Sequence, residues 1–307
     1  MRTFTNRLVY TFMIYFLVCS FPCLISAQIF TDVNGPSGIN VTHDGNPAYE
    51  KVMAVGSGAA WIDYNKDGWQ DLYITMRTQA NLLYKNNKDG TFTNTAAAAG
   101  VEDASGDGAG VAVADFNNDG WPDLYLANCM EDRLYKNVNG VFTDISVSAG
   151  ITTSGDSRGT SASWGDYNND GYLDLWVSHH APVDMTLPNA DVKDYLFLND
   201  GDETFTDVSY LINNMHMDGI GFIAGWTDYN LDDKIDIVLI NDCPIDPWVD
   251  STYVFRNDGG SSGTSWNFTE VSESLGMADC RNGMGIAVGD YNRDGWMDIF
   301  YTNIGPC

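Results

Sequence analysis

The stretch Asp63-Tyr64-Asn65-Lys66-Asp67-Gly68-Trp69-Gln70-Asp71, followed at once by Leu72-Tyr73-Ile74-Thr75, decides how this chain folds. Its pattern, D-x-N-x-D-G-x-x-D, returns at Asp115–Asp123, Asp166–Asp174, Asp228–Asp236 and Asp290–Asp298, so the first aspartate recurs after 52, 51, 62 and 62 residues. A single copy would read as a polar turn. Five copies that each keep four oxygen-bearing side chains read as a repeated cation cage.

Calcium is the ion this donor set suits, because it takes six to eight oxygen ligands in a flexible shell, whereas magnesium keeps its waters. Positions 1, 3, 5 and 9 supply the side-chain oxygens. They are Asp63, Asn65, Asp67 and Asp71; Asp115, Asn117, Asp119 and Asp123; Asp166, Asn168, Asp170 and Asp174; Asp228, Asn230, Asp232 and Asp236; and Asp290, Asn292, Asp294 and Asp298. Position 7 adds a backbone carbonyl, from Trp69, Trp121, Tyr172, Lys234 and Trp296. Up to five calcium ions are expected. Without a cation, three clustered carboxylates would repel one another.

An EF-hand is excluded, since it needs a bidentate Glu at loop position 12. That position holds Ile74, Leu126, Val177, Leu239 and Tyr301. The flanking residues are aromatic and branched, which favours strands over helices. Loop four departs from its siblings: Asp233 replaces the glycine and Lys234 stands at position 7. Aspartate tolerates the left-handed backbone the turn needs, but the lysine sits close to the cation's seat. This loop is expected to bind most weakly.

Around each loop runs a longer repeat of four short strands. A Gly-rich strand precedes it, as in Gly108–Val113 and Gly283–Val288. A third strand ends in Asn86, Asn137, Asn199 or Asn257. A fourth begins at Phe92, Phe142, Phe205 or Phe268. Four antiparallel strands per unit match a β-propeller blade, which buries its faces only by stacking on its neighbours. The fold expected is therefore an all-β propeller with about five blades present, a fragment of a larger wheel. The copy at Phe30-Thr31-Asp32 would be the outer strand of the closing blade, and the sequence stops two strands into blade five.

With 15 basic and 42 acidic residues, the chain carries a net charge of −27. That field disfavours nucleic acid and anionic membranes as partners. An apolar content of 44% excludes a disordered acidic tail. Residues 1–27 read as a signal peptide, with Arg2 and Arg7 before an apolar run and Ala27 at the cleavage point. Residues 28–307 would then form the propeller, secreted or extracellular, or periplasmic or cell-surface in a bacterium, with no later membrane span. Four cysteines stay in that part: Cys129, Cys243, Cys280 and Cys307. Cys280–Cys307 is the preferred pair across the fifth hairpin, Cys243–Cys280 the alternative, and free thiols stay open. Asn40-Val41-Thr42 and Asn267-Phe268-Thr269 are glycosylation sequons.

These units resemble FG-GAP repeats of the integrin α-subunit type, in the related VCBS form. The pairing of F-T-D-[VI]-[ST] with A-W-x-D-Y-N-x-D-G-[WY]-x-D-L-Y is similar to the cartilage acidic protein family, whose members carry a C-terminal ASPIC/UnbV domain not found here. The resemblance implies a seven-bladed, calcium-stabilised extracellular propeller used in adhesion, with the loop positions above as its metal ligands.

Partner binding, to an extracellular protein or glycan, is expected on the face opposite the acidic loops. The long connections His179–Asp194 and Asn241–Thr252 lie there, with His180, Asp184 and Trp248. A transition-metal site at His179, His180 and Asp184 is disfavoured, because adjacent residues of an extended chain point opposite ways. The position-7 aromatics are expected to pack blade on blade. No catalytic residue is assigned. Gly155-Asp156-Ser157-Arg158-Gly159 matches G-x-S-x-G but lacks the following helix. The alternative reading is a calcium-dependent polysaccharide lyase.

Overall fold

The computed structural model describes residues 31–42, 57–77, 79–104, 107–129, 131–153, 158–180, 193–212, 221–241, 252–278 and 281–304. Residues 1–27, expected as a signal peptide, and Cys243, Cys280, Cys307, Asp184, Trp248 and Ser157 therefore lie outside the described residues. Residues 1–33 form one unit and residues 34–307 another. Thr31 and Asp32 belong to no strand, and Phe30 lies outside the described residues.

The second unit is a β-propeller assembly of four-stranded antiparallel blades. Blade one comprises β1 (Ala59–Ile62), β2 (Asp71–Ile74), β3 (Leu82–Asn86) and β4 (Phe92–Asn94). Blade two comprises β5 (Gly108–Ala114), β6 (Asp123–Asn128), β7 (Arg133–Val138) and β8 (Val141–Asp144). Blade three comprises β9 (Arg158–Gly165), β10 (Asp174–His180), β11 (Tyr195–Asn199) and β12 (Phe205–Asp207). Blade four comprises β13 (Gly221–Thr227), β14 (Asp236–Asn241), β15 (Tyr253–Ser262) and β16 (Ser265–Glu270). A fifth, two-stranded sheet holds β17 (Asn282–Gly289) and β18 (Asp298–Ile304). Strand order within each sheet follows the chain.

The second strand of each interior blade is buried on both faces. Every residue of β6, β10 and β14 is buried. Their centres, Leu124–Ala127, Leu175–Val177 and Ile237–Ile240, are unbroken apolar runs because a neighbouring blade covers each side. Three clusters fill the gaps between blades. Tyr73 and Leu83 of blade one meet Leu124, Leu126 and Phe142 of blade two. Phe116 and Tyr125 meet Leu175 and Phe197 of blade three. Tyr167 and Trp176 meet Ile237 and Phe255 of blade four. The inner-strand glycines allow this closeness: a Cβ on Gly110 would lie 2.7 Å from Ser161 Cα, and one on Gly58 would lie 2.5 Å from the Ala109 carbonyl oxygen. Each acidic loop joins a blade's first and second strands, so it shares a rim with the hairpin between the third and fourth.

Candidate metal centre

Each loop folds on its own side chains. In loop one, Asp63 accepts the Asp67 amide at 3.0 Å and the Gly68 amide at 2.9 Å. Asn65 Oδ1 also accepts the Asp67 amide, at 3.0 Å, and Asp67 accepts the Trp69 amide at 3.1 Å. The contact from the position-6 amide to the position-1 carboxylate recurs at 2.8–2.9 Å in the other four loops. Gly68 turns with φ 83°, and Asp233 holds the same left-handed region in loop four with φ 64°. The turn survives the substitution, as the sequence suggested. Position 4 is left-handed as well, at Lys66, Asn118, Asn169, Leu231 and Arg293.

Position 9 is the buried end of the cage. Asp71, Asp123, Asp174 and Asp236 are each fully buried at the head of a second strand. One oxygen of each accepts the amide of a third-strand asparagine: Asn86 to Asp71 at 2.7 Å, Asn137 to Asp123 at 2.7 Å, Asn199 to Asp174 at 2.9 Å and Asn257 to Asp236 at 2.7 Å. Desolvation drives these acids up, to about 6 for Asp71, 7 for Asp123, 8 for Asp174 and 6 for Asp236. The asparagine amides oppose that rise, and the position-1 and position-5 carboxylates add to it. Negative charge is thus disfavoured at these positions unless a cation shares the cage.

Two buried carboxylate oxygens show the same deficit. Asp71 Oδ2 and Asp115 Oδ1 have no hydrogen-bond partner. The Tyr64 amide lowers the Asp71 pKa, yet it completes no hydrogen bond to Oδ2. A buried acceptor left unsatisfied costs about 1–3 kcal/mol, and a bound cation would remove the deficit. Among the described residues, no three His, Cys, Asp or Glu side chains stand together as a ready-made ligand set. The loop carboxylates are turned onto amides instead. An ionised carboxylate offers about four lone-pair sites, so one amide per oxygen leaves capacity for an ion. The donor set of three carboxylates, one amide oxygen and one main-chain carbonyl fits a hard divalent cation.

The asparagine at the end of the third strand does more than the sequence revealed. Asn137 Nδ2 donates to the Tyr64 carbonyl of the preceding blade at 2.9 Å, and to its own blade's Pro122 carbonyl at 3.0 Å. Asn199 repeats this with Phe116 and Leu173, and Asn257 with Tyr167 and Ile235. Its Oδ1 also accepts a hairpin amide, from Gly140, Gly201 or Gly259. One side chain therefore clips the loop, the hairpin and the neighbouring blade together.

Position 2 was also missed, although it is aromatic in every copy. Tyr64 is 6% exposed, and Phe116 and Tyr167 are fully buried. They reach the next blade's outer strand: Tyr64 to Phe142 at 6.2 Å, Phe116 to Phe205 at 5.6 Å and Tyr167 to Phe268 at 5.7 Å between ring centroids. The expected blade-on-blade role of position 7 holds for Trp121, which lies under Lys66 Nζ of the preceding blade's loop at 4.5 Å, but not for Trp69 and Trp296, which are about half exposed, nor for Tyr172, which flanks Gly201 of its own hairpin.

The histidines expected on the opposite face are interior. His179 is fully buried, with Nε2 3.0 Å from Asp132, which also accepts the Tyr125 hydroxyl at 2.8 Å. His180 is 7% exposed. Neither is free for a partner or a surface metal. Cys129 is a buried free thiol. Asn40 and Asn267 of the two sequons are exposed. Arg158 and Gly159 of the G-x-S-x-G match open strand β9, so a strand and not a helix follows it. Among the described residues, no helix is long and apolar enough to cross a membrane.

A family model of FG-GAP-like repeats matches residues 63–126, 115–177 and 228–301, more than half of the sequence. The chain belongs to the FG-GAP-like repeat family. This repeat protein is 25% identical over 288 residues to cartilage acidic protein 1 of Mus musculus and 24% identical to that of Xenopus tropicalis. Each alignment covers 85% of the chain and 41% of the relative, so the chain spans well under half the length of these relatives. Human cartilage acidic protein 1 matches at 45% over 58 residues, 19% of this chain and 9% of that protein. Among solved structures, an Agrocybe aegerita lectin that recognises non-reducing terminal N-acetylglucosamine aligns with TM-score 0.37 and 18% identity, covering 79% of this chain and 56% of its own. A Bacillus licheniformis rhamnogalacturonan lyase aligns with TM-score 0.38 and 13% identity, covering 76% and 47%.

Proposed function

We propose that this FG-GAP-like repeat chain is a secreted calcium-binding module that contacts an extracellular protein or glycan, with calcium structural rather than catalytic. The observation that carries the reading is the row of buried position-9 aspartates, each pushed above the ordinary carboxylate range beside two further carboxylates. Asp63, Asn65, Asp67 and Asp71, with the Trp69 carbonyl, hold the first ion, and the corresponding residues of the other loops hold the rest. The ion neutralises the cage and ties the heads of the first two strands together. Kinship with the cartilage acidic proteins supports an extracellular setting, where millimolar calcium would fill sites of Kd about 10⁻⁴–10⁻³ M. The hydrogen-bonded group Tyr125–Asp132–His179 is closed to solvent, which favours binding over hydrolysis or elimination. Partner contact belongs to the face away from the acidic loops, without the two histidines.

Calorimetric titration of the metal-stripped chain with calcium tests the reading. Several sites should fill, and Asp174→Asn should remove one of them. Absence of binding at roughly ten times the upper Kd of extracellular modules would overturn it.

A further inference from the structure

Each four-stranded blade ends in an outer strand that pairs with its third strand on one side and with no strand on the other. An open edge of that kind can recruit another chain, and short length is one way to blunt it. Strands β4, β8 and β12 span three, four and three residues. Strand β16 spans six, and its partner β15 spans ten. Blade four therefore offers the longest bare edge of the four complete blades.

The middle of that strand is the sequon Asn267-Phe268-Thr269. Strand alternation divides its residues between two faces. Trp266 and Phe268 turn to Tyr167 of blade three, with ring centroids 5.8 Å and 5.7 Å away. Asn267 and Thr269 turn the other way and are exposed. That exposure belongs to the repeat. Thr143 and Thr206 follow the matching Phe142 and Phe205, and both are exposed although a complete blade comes after each of theirs. Asn267 Nδ2 donates one hydrogen to the Gly259 carbonyl at 3.2 Å. A side-chain amide carries two, so the second is open to replacement. Asn40 of the other sequon is exposed too, but it belongs to no strand and guards no edge.

We propose that Asn267 carries an N-linked oligosaccharide whose bulk caps the open edge of β16. The donor class is an oligosaccharide held on a lipid pyrophosphate. The asparagine nitrogen bonds to C1 of the first sugar, and the C1–O bond to the pyrophosphate breaks. The proton lost from nitrogen leaves with the lipid pyrophosphate, and nothing is oxidised or reduced. The remaining hydrogen keeps the bond to Gly259. A bulky, solubilising group at this point blocks the addition of a strand from another molecule. The proposal rests on the secreted reading above, because the transfer belongs to the secretory pathway.

Expression of the full chain in animal cells tests it. Mass spectrometry of the secreted chain should find a glycan on Asn267. Asn267→Gln and Thr269→Ala break the sequon at different residues, and each should lose that glycan while keeping the parent's circular dichroism. At a salt concentration that screens the net charge of −27, both should sediment as dimers or larger where the parent sediments as one chain. Enzymatic trimming of the folded parent should do the same without a substitution. Thr269→Ser keeps the hydroxyl of the sequon and should match the parent in both readouts. A secreted chain with a bare Asn267, or glycan-free forms that stay as dispersed as the parent, would overturn the proposal alone. A chain held inside the cell with Asn267 bare would overturn it together with the secreted reading.

Discussion

Loops three and four have the same backbone and differ in what sits inside them. In loop three the Asp170 amide meets Asp166 at 3.1 Å and Asn168 at 3.0 Å; in loop four the Asp232 amide meets Asp228 at 3.1 Å and Asn230 at 3.3 Å. Asp233 turns where Gly171 turns. Yet Lys234 Nζ lies 3.0 Å from Asp232 Oδ2, whereas the matching Asp170 Oδ2 of loop three accepts the neutral Asn168 side-chain amide at 2.9 Å. Desolvation is the largest single influence on the Asp232 carboxyl and pushes it up, but the Lys234 hydrogen bonds and charge, with the Asn230 amide, together hold the group below the usual range. The loop's shape is therefore set by side chains bonding to amides, while its affinity is set by which cation sits among the carboxylates.

The largest expected effect lies where the two loops are alike. Both hang on a third-strand asparagine that fills buried acceptors in two blades. Asn199→Leu strands the Phe116 and Leu173 carbonyls and the Gly201 amide. A loss of about 3 kcal/mol in urea unfolding is expected, with or without calcium, since each orphaned buried group costs about 1–3 kcal/mol. Asn257→Leu should lose at least as much, because Trp266 Nε1 also donates to Asn257. If only one variant suffered, the two loops would not share a clip.

Removing the metal comes next. With Kd near 10⁻⁴ M and calcium at roughly millimolar levels, each filled site adds about 1.4 kcal/mol. Chelation should lower the melting temperature of the parent chain in calorimetry. It should lower that of Asp174→Asn by less, because loop three no longer contributes. Asp236→Asn in loop four should blunt the response least. Equal effects from the two variants would erase the contrast drawn above.

The loops, the strand order and the inner-strand glycines were legible in the sequence because their causes are local: ligand spacing, apolar runs and close backbone approach. The asparagine clip and the packing of the position-2 aromatic were not, because their partners are remote. Asn137, Asn199 and Asn257 reach acceptors 73, 83 and 90 residues away. Regular aromatics at positions 2 and 7 look equally suited to packing. Position 2, bonded by its amide to the buried position-9 carboxylate, is aimed at the next blade. His179 and His180 read as loop residues because they are polar, yet they end the fully buried strand β10 and His179 finds Asp132 47 residues back.

A smaller change should bring loop four towards loop three. Lys234→Tyr removes the internal ammonium and restores the aromatic of position 7. Calcium affinity at that site should rise by roughly tenfold, about 1.4 kcal/mol, in calorimetric titration. The remaining loops should titrate as before. An unchanged affinity would mean that Asp233, not Lys234, limits the site.

The smallest effect concerns how neighbouring loops touch. Asn118 Nδ2 donates to the Gly171 carbonyl at 3.0 Å, and Asn169 Nδ2 to the Asp233 carbonyl at 3.0 Å, so position 4 of one loop holds position 6 of the next. Lys66 covers Trp121 in the first junction. The chain of contacts changes at Leu231, which has the same left-handed backbone, φ 58°, but an apolar side chain that is 50% exposed. Leu231→Asn supplies the residue that loops two and three use, in a conformation asparagine tolerates better than leucine. An added exposed hydrogen bond and relieved backbone strain together should stabilise the chain by about 0.5–1 kcal/mol. The reverse change, Asn169→Leu, should lose a similar amount. A gain from Leu231→Asn without a matching loss from Asn169→Leu would place the benefit in the backbone alone, and the loops would then be neighbours that do not communicate.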